Sequence, residues 1–424
     1  MISWRQRVRQ LEEENTFLKE KIEELENRLK AYENAHTPPS LSKKKPPKKP
    51  SSGKLGAPKG HPKYERKEPE ITGSREYVEC TCPHCQSDLD KPYKTVRKIV
   101  EEIPEPQPIE VIEHLINHYK CPNCKKQIVA KNNVPAGRFG KNVLTHVTLL
   151  KYDDRLPLRK IASSLERHYG ITLTNVAALN ITEHVSNSLK KSHEYLIKKA
   201  REAKVVYIDE TQIKVDGTTY WLWTFVTDTE TLFVIRKSRA KNVIEEILGA
   251  EFKGVVCCDG WTAYSQYTNN IQRCWAHLLR EAKDLAENYK EFEGFYGVFR
   301  HMFKRIKEVR SKPPAIKERE IIADKLKRKM EILVEQMNYY KEFRGFATKV
   351  KNGLKHWFNC VVNLFVEPTN NHAERALREL IVQRKIIGGL RREKGARIME
   401  TIMSMVMTWR KQELPLFSTM KSCL

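Results

Sequence analysis

"VVYIDETQIKVDGTTYWLWTFVTDTETLFVIRKSRAKNVIEEILGAEFKGVVCCDGW", Val205 to Trp261, decides how this chain folds. "VVYIDET" (Val205–Thr211) is a β-rich run carrying Asp209. "YWLWTFVTD" and "TLFVIRKS" follow as a second and third strand, joined by a tight polar turn at Asp228–Glu230. "KNVIEEILG" has the spacing of a short helix, and "GVVCCDGW" is another buried strand that ends at Asp259. An Asp within an apolar strand is costly to bury unpaired, so Asp209 and Asp259 stand out by position. Taken singly, each also fits the simpler role of a strand-end residue capping a turn. Glu210 is an open rival to Asp209, because successive strand residues face opposite sides of a sheet.

Beyond these strands, "IQRCWAHLLREA" reads as a strand running into a helix, and the chain is then helical and charged as far as Pro368. Three strands, a helix and a fourth strand follow the order of a ribonuclease-H-like α/β fold. That fold sets one acid on its first strand, a second on its fourth and a third on a later helix. The third candidate is Glu374, in "EPTNNHAERALRELIVQRKIIGG" (Glu367–Gly389), a loop entering a helix. Glu374 also lies three residues after Asn371, where a capping box would put it. Acids in this pattern suit phosphodiester chemistry, in which two divalent cations about 3.5–4 Å apart assist the attacking and leaving oxygens. Mg²⁺ prefers carboxylate oxygens and keeps several waters, so two or three carboxylates suffice to hold it.

The N-terminal third has a different character. Val8, Asn15, Ile22 and Leu29 repeat every seven residues, with Leu11, Leu18, Leu25 and Tyr32 three residues behind them. These are the a and d positions of a coiled coil, with one polar Asn fixing register. In a parallel dimer the g–e pairs are Arg7–Glu12, Glu14–Lys19, Lys21–Glu26 and Arg28–Glu33, all opposite in sign. A homodimerising zipper over residues 1–35 is expected. From His36 to Tyr64 there are eight lysines, seven prolines and no acid, which reads as a semi-extended basic tether within 36–70.

"CPHC" (Cys82, Cys85) and "CPNC" (Cys121, Cys124) then give two C-x-x-C knuckles, the ligand pattern of a structural Zn²⁺. The 35 residues between them exceed the usual spacing of about 15–20. The intervening "VRKIVEEIPEPQPIEVIEHLINHYK" alternates in places like the arms of a zinc ribbon, and Cys80 and His84 remain rival ligands. A small zinc-binding domain is expected over 71–135. The helical segment 136–203 contains Leu158–His168, a break at Gly170 and a second helix starting near Thr174. This is the outline of a helix-turn-helix, although two packed amphipathic helices give the same pattern.

Composition favours a polyanionic partner. With 77 Lys+Arg against 53 Asp+Glu the formal charge is +24, for which nucleic acid is the simplest partner. No apolar run approaches the ~18 residues of a membrane span, and the charged N-terminal helix has no secretory core. A cytoplasmic protein with reduced cysteines is expected.

"VVYIDET", "CCDGWTAY", "RCWAHLLRE" and "EPTNNHAERALRELIVQRKIIGGLRREKGA" stand in the order found in transposases of the insertion-sequence-66 family, which this chain resembles along nearly its whole length. The Asn-Asn-x-Ala-Glu-Arg-Ala block is the most specific part. The resemblance implies an Asp-Asp-Glu triad of Asp209, Asp259 and Glu374 binding Mg²⁺ or Mn²⁺ on a ribonuclease-H-like core at 204–410, with a helical insertion at about 276–366 and a C-terminal tail at 411–424. It implies supporting or DNA-contacting roles for Asn371, Arg375, Arg378, His277 and Lys385. It further implies element ends and target DNA as substrates, and accessory proteins of the same element as partners. Two departures are "LLREA" after "CWAH" and Leu390 after the paired glycines, where relatives are more basic and carry Ser or Thr respectively. A non-catalytic DNA-binding regulator and a stand-alone metal-dependent nuclease are the competing readings.

Overall fold

A computed structural model describes residues 12–22, 25, 68–89, 91–92, 94–101, 109–132, 134–135 and 137–424. The chain divides into two units, Met1–Pro106 and Gln107–Leu424. In the first unit a helix, α1, covers residues 12–22. Its Leu18 and Ile22, with Leu25 beyond, are 51%, 56% and 47% exposed, so the described seam positions are open. Val8, Leu11, Leu29, Tyr32 and the tether from His36 to Tyr64 lie outside the described residues.

The two knuckles repeat one turn. Cys82 N–H donates to Ser87 O (2.8 Å) and Gln86 N–H to Cys82 O (2.9 Å), with Gln86 at φ 61°. In the second unit Cys121 N–H donates to Lys126 O (2.9 Å) and Lys125 N–H to Cys121 O (3.0 Å), with Lys125 at φ 58°. Two short strands, β1 (His118–Lys120) and β2 (Gln127–Val129), flank the second knuckle as an antiparallel hairpin. Among the described residues between the knuckles, no long strands of the expected ribbon arms form. Among the described residues of Val96–Lys120, strand is confined to β1. Val96, Val100, Val111, Ile112 and Leu115 are all exposed, so the alternation has no covered face to pack.

Helices α2 (Lys141–Tyr152), α3 (Leu158–Tyr169) and α4 (Asn175–Ser188) enclose a small core of Val147, Ile161, Leu165, Ile171, Leu173, Ala178 and Ile181. Gly170 ends α3 in the left-handed region at φ 65°, and Thr174 caps α4 by accepting from Ala177 N–H at 3.1 Å. The helix–break–helix outline is therefore present. Ion pairs tie this block to later helices: Arg155 to Glu379, and Asp153 to Arg410. Helix α5 (Lys190–Glu202) leads into the sheet.

The sheet has five strands in the order β5-β4-β3-β6-β7: β3 (Val205–Val215), β4 (Thr218–Val226), β5 (Thr231–Arg236), β6 (Val255–Cys258) and β7 (Ile271–Arg273). The first three are antiparallel, and β6 and β7 are parallel to β3. Asp216 and Gly217, at φ 50° and 71°, make the two-residue turn between β3 and β4. Between β5 and β6 lies α6 (Lys241–Leu248), and between β6 and β7 lies α7 (Thr262–Tyr267).

Five helices follow β7: α8 (Trp275–Asn288), α9 (Glu293–Ser311), α10 (Ile316–Met337), α11 (Arg344–Asn352) and α12 (Asn359–Val362). Arg310 on α9 fastens the returning chain, donating to the carbonyls of Cys360 (2.9 Å), Leu364 (3.1 Å) and Val366 (2.6 Å) and pairing with Glu367 (2.9 Å). Helix α13 (Asn371–Ile387) then packs on β3 and β4, and α14 (Glu393–Lys411) on β5. The tail is not a loose end: α15 (Leu416–Ser422) buries Met420.

Along the outer margin of β5, the N–H groups of Thr231, Phe233 and Ile235 donate to Thr408 Oγ1 (3.0 Å), Ser404 Oγ (2.9 Å) and Glu400 Oε1 (2.6 Å) of α14. Steps of four residues on a helix and two on a strand each advance about 6–7 Å, so the two ladders stay in phase. No described helix is long and apolar enough to cross a membrane.

Candidate active site

Strands β3 and β6 run parallel with Tyr207 opposite Cys257. Two residues further along each strand direction stand Asp209 and Asp259, so Asp209, within β3, stands beside Asp259, just past the end of β6. Glu374 joins them from the first turn of α13. Burial, followed by the charges of Glu210, Asp259 and Glu374, pushes the Asp209 carboxyl well above the usual carboxylate range. The three acids expected from sequence are thus brought within electrostatic reach of one another.

Alternation along β3 separates the two rivals. Tyr207 and Asp209 face α13, where the Tyr207 hydroxyl accepts from Glu367 N–H at 2.9 Å and its ring lies 4.7 Å from that of His372. Glu210 points to the other face, accepting from the Tyr264 hydroxyl and pairing with Arg239 at 2.8 Å. Burial and then the charge of Asp259 lift the Glu210 pKa to about 7. With both its oxygens engaged, Glu210 belongs to the frame, whereas Asp209 accepts the N–H of Glu210 at 3.0 Å.

Helix α13 contains no capping box. Its N-cap is Asn370, one residue earlier than the sequence pattern indicates, and no side chain caps it. The Asn370 side chain instead donates from Nδ2 to Ile208 O at 2.7 Å. Its N–H donates to Cys274 Sγ at 3.1 Å, and its carbonyl accepts from Glu374 N–H at 3.1 Å. One fully buried residue therefore fastens β3, the start of α8 and the start of α13.

Glu374 lies close to two side chains of α8. His277 Nε2 lies 3.6 Å from Glu374 Oε1, and Arg280 lies 3.9 Å from Oε2. Arg280 comes from the "LLREA" departure, so this stretch still supplies a cation. Glu374 Oε1 and Asn370 Oδ1 are buried without a hydrogen-bond partner, as is Thr224 Oγ1, which stands opposite Asp209 on β4. Orphaned oxygens beside a carboxylate driven towards its neutral form are what a divalent cation relieves, and hard oxygen donors suit Mg²⁺ or Mn²⁺. Cys274, His277 and Glu374 also place one ligand-type atom each within 4.8 Å of one another. Burial pushes the Cys274 thiol up to about 11, which disfavours the thiolate a soft metal needs.

The other expected residues are placed differently. Asn371 opens α13 half-buried, while Arg375, Arg378 and Lys385 lie on its exposed side. Arg384 turns inward, donating to Thr211 Oγ1 at 3.2 Å and to Gln212 O. Asn370, Cys274 and Arg280 were not singled out from sequence. The doubled asparagine was visible, but nothing local tells which of the two is buried.

A sequence-family model described as "Transposase IS66 family" matches residues 136–398, more than half of the chain. A search of curated proteins finds no match.

Proposed function

We propose that this chain, which belongs to the IS66 family of transposases, binds the ends of its element, cleaves them and joins their 3′ ends to target DNA. The observation that supports the reading is that Asp209 feels the charges of both Asp259 and Glu374, with unsatisfied buried oxygens on Asn370, Glu374 and Thr224. The sheet order, with antiparallel β5-β4-β3 and parallel β6 and β7, supports a ribonuclease-H-like core. Asp209, Asp259 and Glu374 would hold the divalent cations. When bound, Mg²⁺ or Mn²⁺ supplies Lewis-acid stabilisation of charge developing on the phosphate oxygens.

The remaining work falls to the protein. Asn370 ties β3 to the starts of α8 and α13, the elements around Asp209 and Glu374. His277 and Arg280 orient the Glu374 carboxylate. The exposed Arg375 and Arg378, on the same helix, are suited to the DNA backbone on either side of the reacting phosphate. The α3–α4 pair is the part proposed to read the element ends. The knuckles offer the thiols of Cys82, Cys85, Cys121 and Cys124 for structural zinc. At Cys85 the Ser87 hydroxyl, and at Cys121 the Cys124 and Asn123 N–H groups, lower the thiol pKa and favour the ligating form. The zipper would bring two subunits, and so two ends, together.

The test is end cleavage and joining by purified protein with Mg²⁺ or Mn²⁺, on labelled DNA from either side of its gene. Wild type should cut at a defined end and join it. Glu374→Gln, folded and still binding DNA, should lose both reactions. Substantial cutting by Glu374→Gln would refute the assignment, and tight binding without cutting by either protein favours a regulator.

A further inference from the structure

Trp261 stands two residues beyond Asp259, at the N-cap of α7, and is held by several contacts at once. Its backbone N–H donates to Asp259 Oδ1 at 2.8 Å, and its indole Nε1–H donates to the Arg239 carbonyl at 3.2 Å. Its ring centre lies 4.0 Å from the Arg239 guanidinium, which also lies 4.5 Å from the ring centre of Trp221. That guanidinium is pinned in turn by the buried Glu210 carboxylate at 2.8 Å, which Tyr264 also engages. The indole is therefore fixed in place before any ligand arrives, yet it is 38% exposed. A large, rigid aromatic surface left open beside a phosphodiester site matches a planar partner, and its ordering cost has already been met within the fold.

We propose that Trp261 is a stacking platform for an unpaired nucleobase flanking the scissile phosphodiester. The inference rests on the transposase reading given above. Adjacency carries it. The Trp261 backbone N–H bonds to Asp259, one of the acids assigned to the reacting phosphate, so the residue that carries the exposed indole is anchored next to that acid. Arg239 beneath the ring adds a positive charge that favours a polyanion's base over a neutral apolar ligand. Stacking of this kind is tolerant of base identity, because every base has a π face. Trp261 thus acts on strand position and not on sequence choice.

The experiment is a binding cycle between protein and DNA. Full-length wild type, Trp261→Ala and Trp261→Phe are titrated with the element end, once intact and once abasic at the nucleotide beside the cleaved bond. Trp261→Ala should bind the intact end about ten-fold more weakly and the abasic end as wild type does. Trp261→Phe should keep most of the difference, which separates loss of stacking from loss of folding. Equal weakening by Trp261→Ala on both DNAs overturns the proposal while wild-type cutting stands. Wild type that neither binds nor cuts its ends overturns the transposase reading, and this inference with it.

Discussion

His193, on the inner side of α5, shows how one buried group ties stability to acidity. Its Nε2 is buried without a partner, and burial, reinforced by the Arg236 charge, lowers its pKa from 6.5 to about 4. The native imidazole is therefore neutral, while the unfolded chain takes up a proton below pH 6.5. The sign follows: stability is intact above pH 6.5 and is lost as pH falls towards 4, by about 3 kcal/mol. His193→Gln should flatten this part of the pH profile, read as the urea midpoint between pH 4 and 7. An unchanged slope would mean that other groups dominate. Asn370 marks the limit of residue-scale reading. Asp209, Asp259 and Glu374 draw attention in the sequence because acids among apolar or motif residues are conspicuous. Asn370 makes bonds to Ile208 and Cys274, 162 and 96 positions away, and no local pattern encodes those.

At the scale of elements, the strands were readable from their β-branched and aromatic runs, and the α3–α4 break from Gly170. The function of α14 was not, because Glu400, Ser404 and Thr408 look like ordinary polar positions until the strand they serve is seen. Ser404→Ala and Thr408→Val should each cost about 1–3 kcal/mol, since each leaves a buried strand N–H without an acceptor. Chemical denaturation measures this, and a cost near zero would show that water replaces the hydroxyl. The Leu390 departure also resolves at this scale. Leu390 N–H donates to Lys214 O and its carbonyl accepts from Asp216 N–H, both at 2.8 Å, so the contact uses backbone and is indifferent to the side chain. Gly389 before it is constrained, because a Cβ there would sit 3.0 Å from the Lys214 carbonyl. Among the described residues of the expected ribbon arms, the alternating apolar positions Val96, Val100, Val111, Ile112 and Leu115 are exposed.

For the whole molecule, the basic charge and the heptads concern association and not fold. The exposed seam of Leu18, Ile22 and Leu25 predicts a dimer. Leu18→Lys with Leu25→Lys should convert it to a monomer in sedimentation equilibrium and abolish paired-end joining. A dimer that survives both changes would place the interface elsewhere. Within Gln107–Leu424, the pairs Arg155–Glu379 and Asp153–Arg410 bolt the helix-turn-helix block to α13 and α14. A DNA end held by that block, as proposed, would reach Glu374 through elements that these ion pairs join directly. The α14 ladder has a consequence for the fate of damaged copies. A reading frame broken after the paired glycines keeps every acid of the triad and loses the helix that occupies the margin of β5. Such a product would expose a row of unsatisfied strand donors able to recruit another chain. Decay at the end of the gene would then yield self-adhering debris sooner than a soluble competitor for the element's ends.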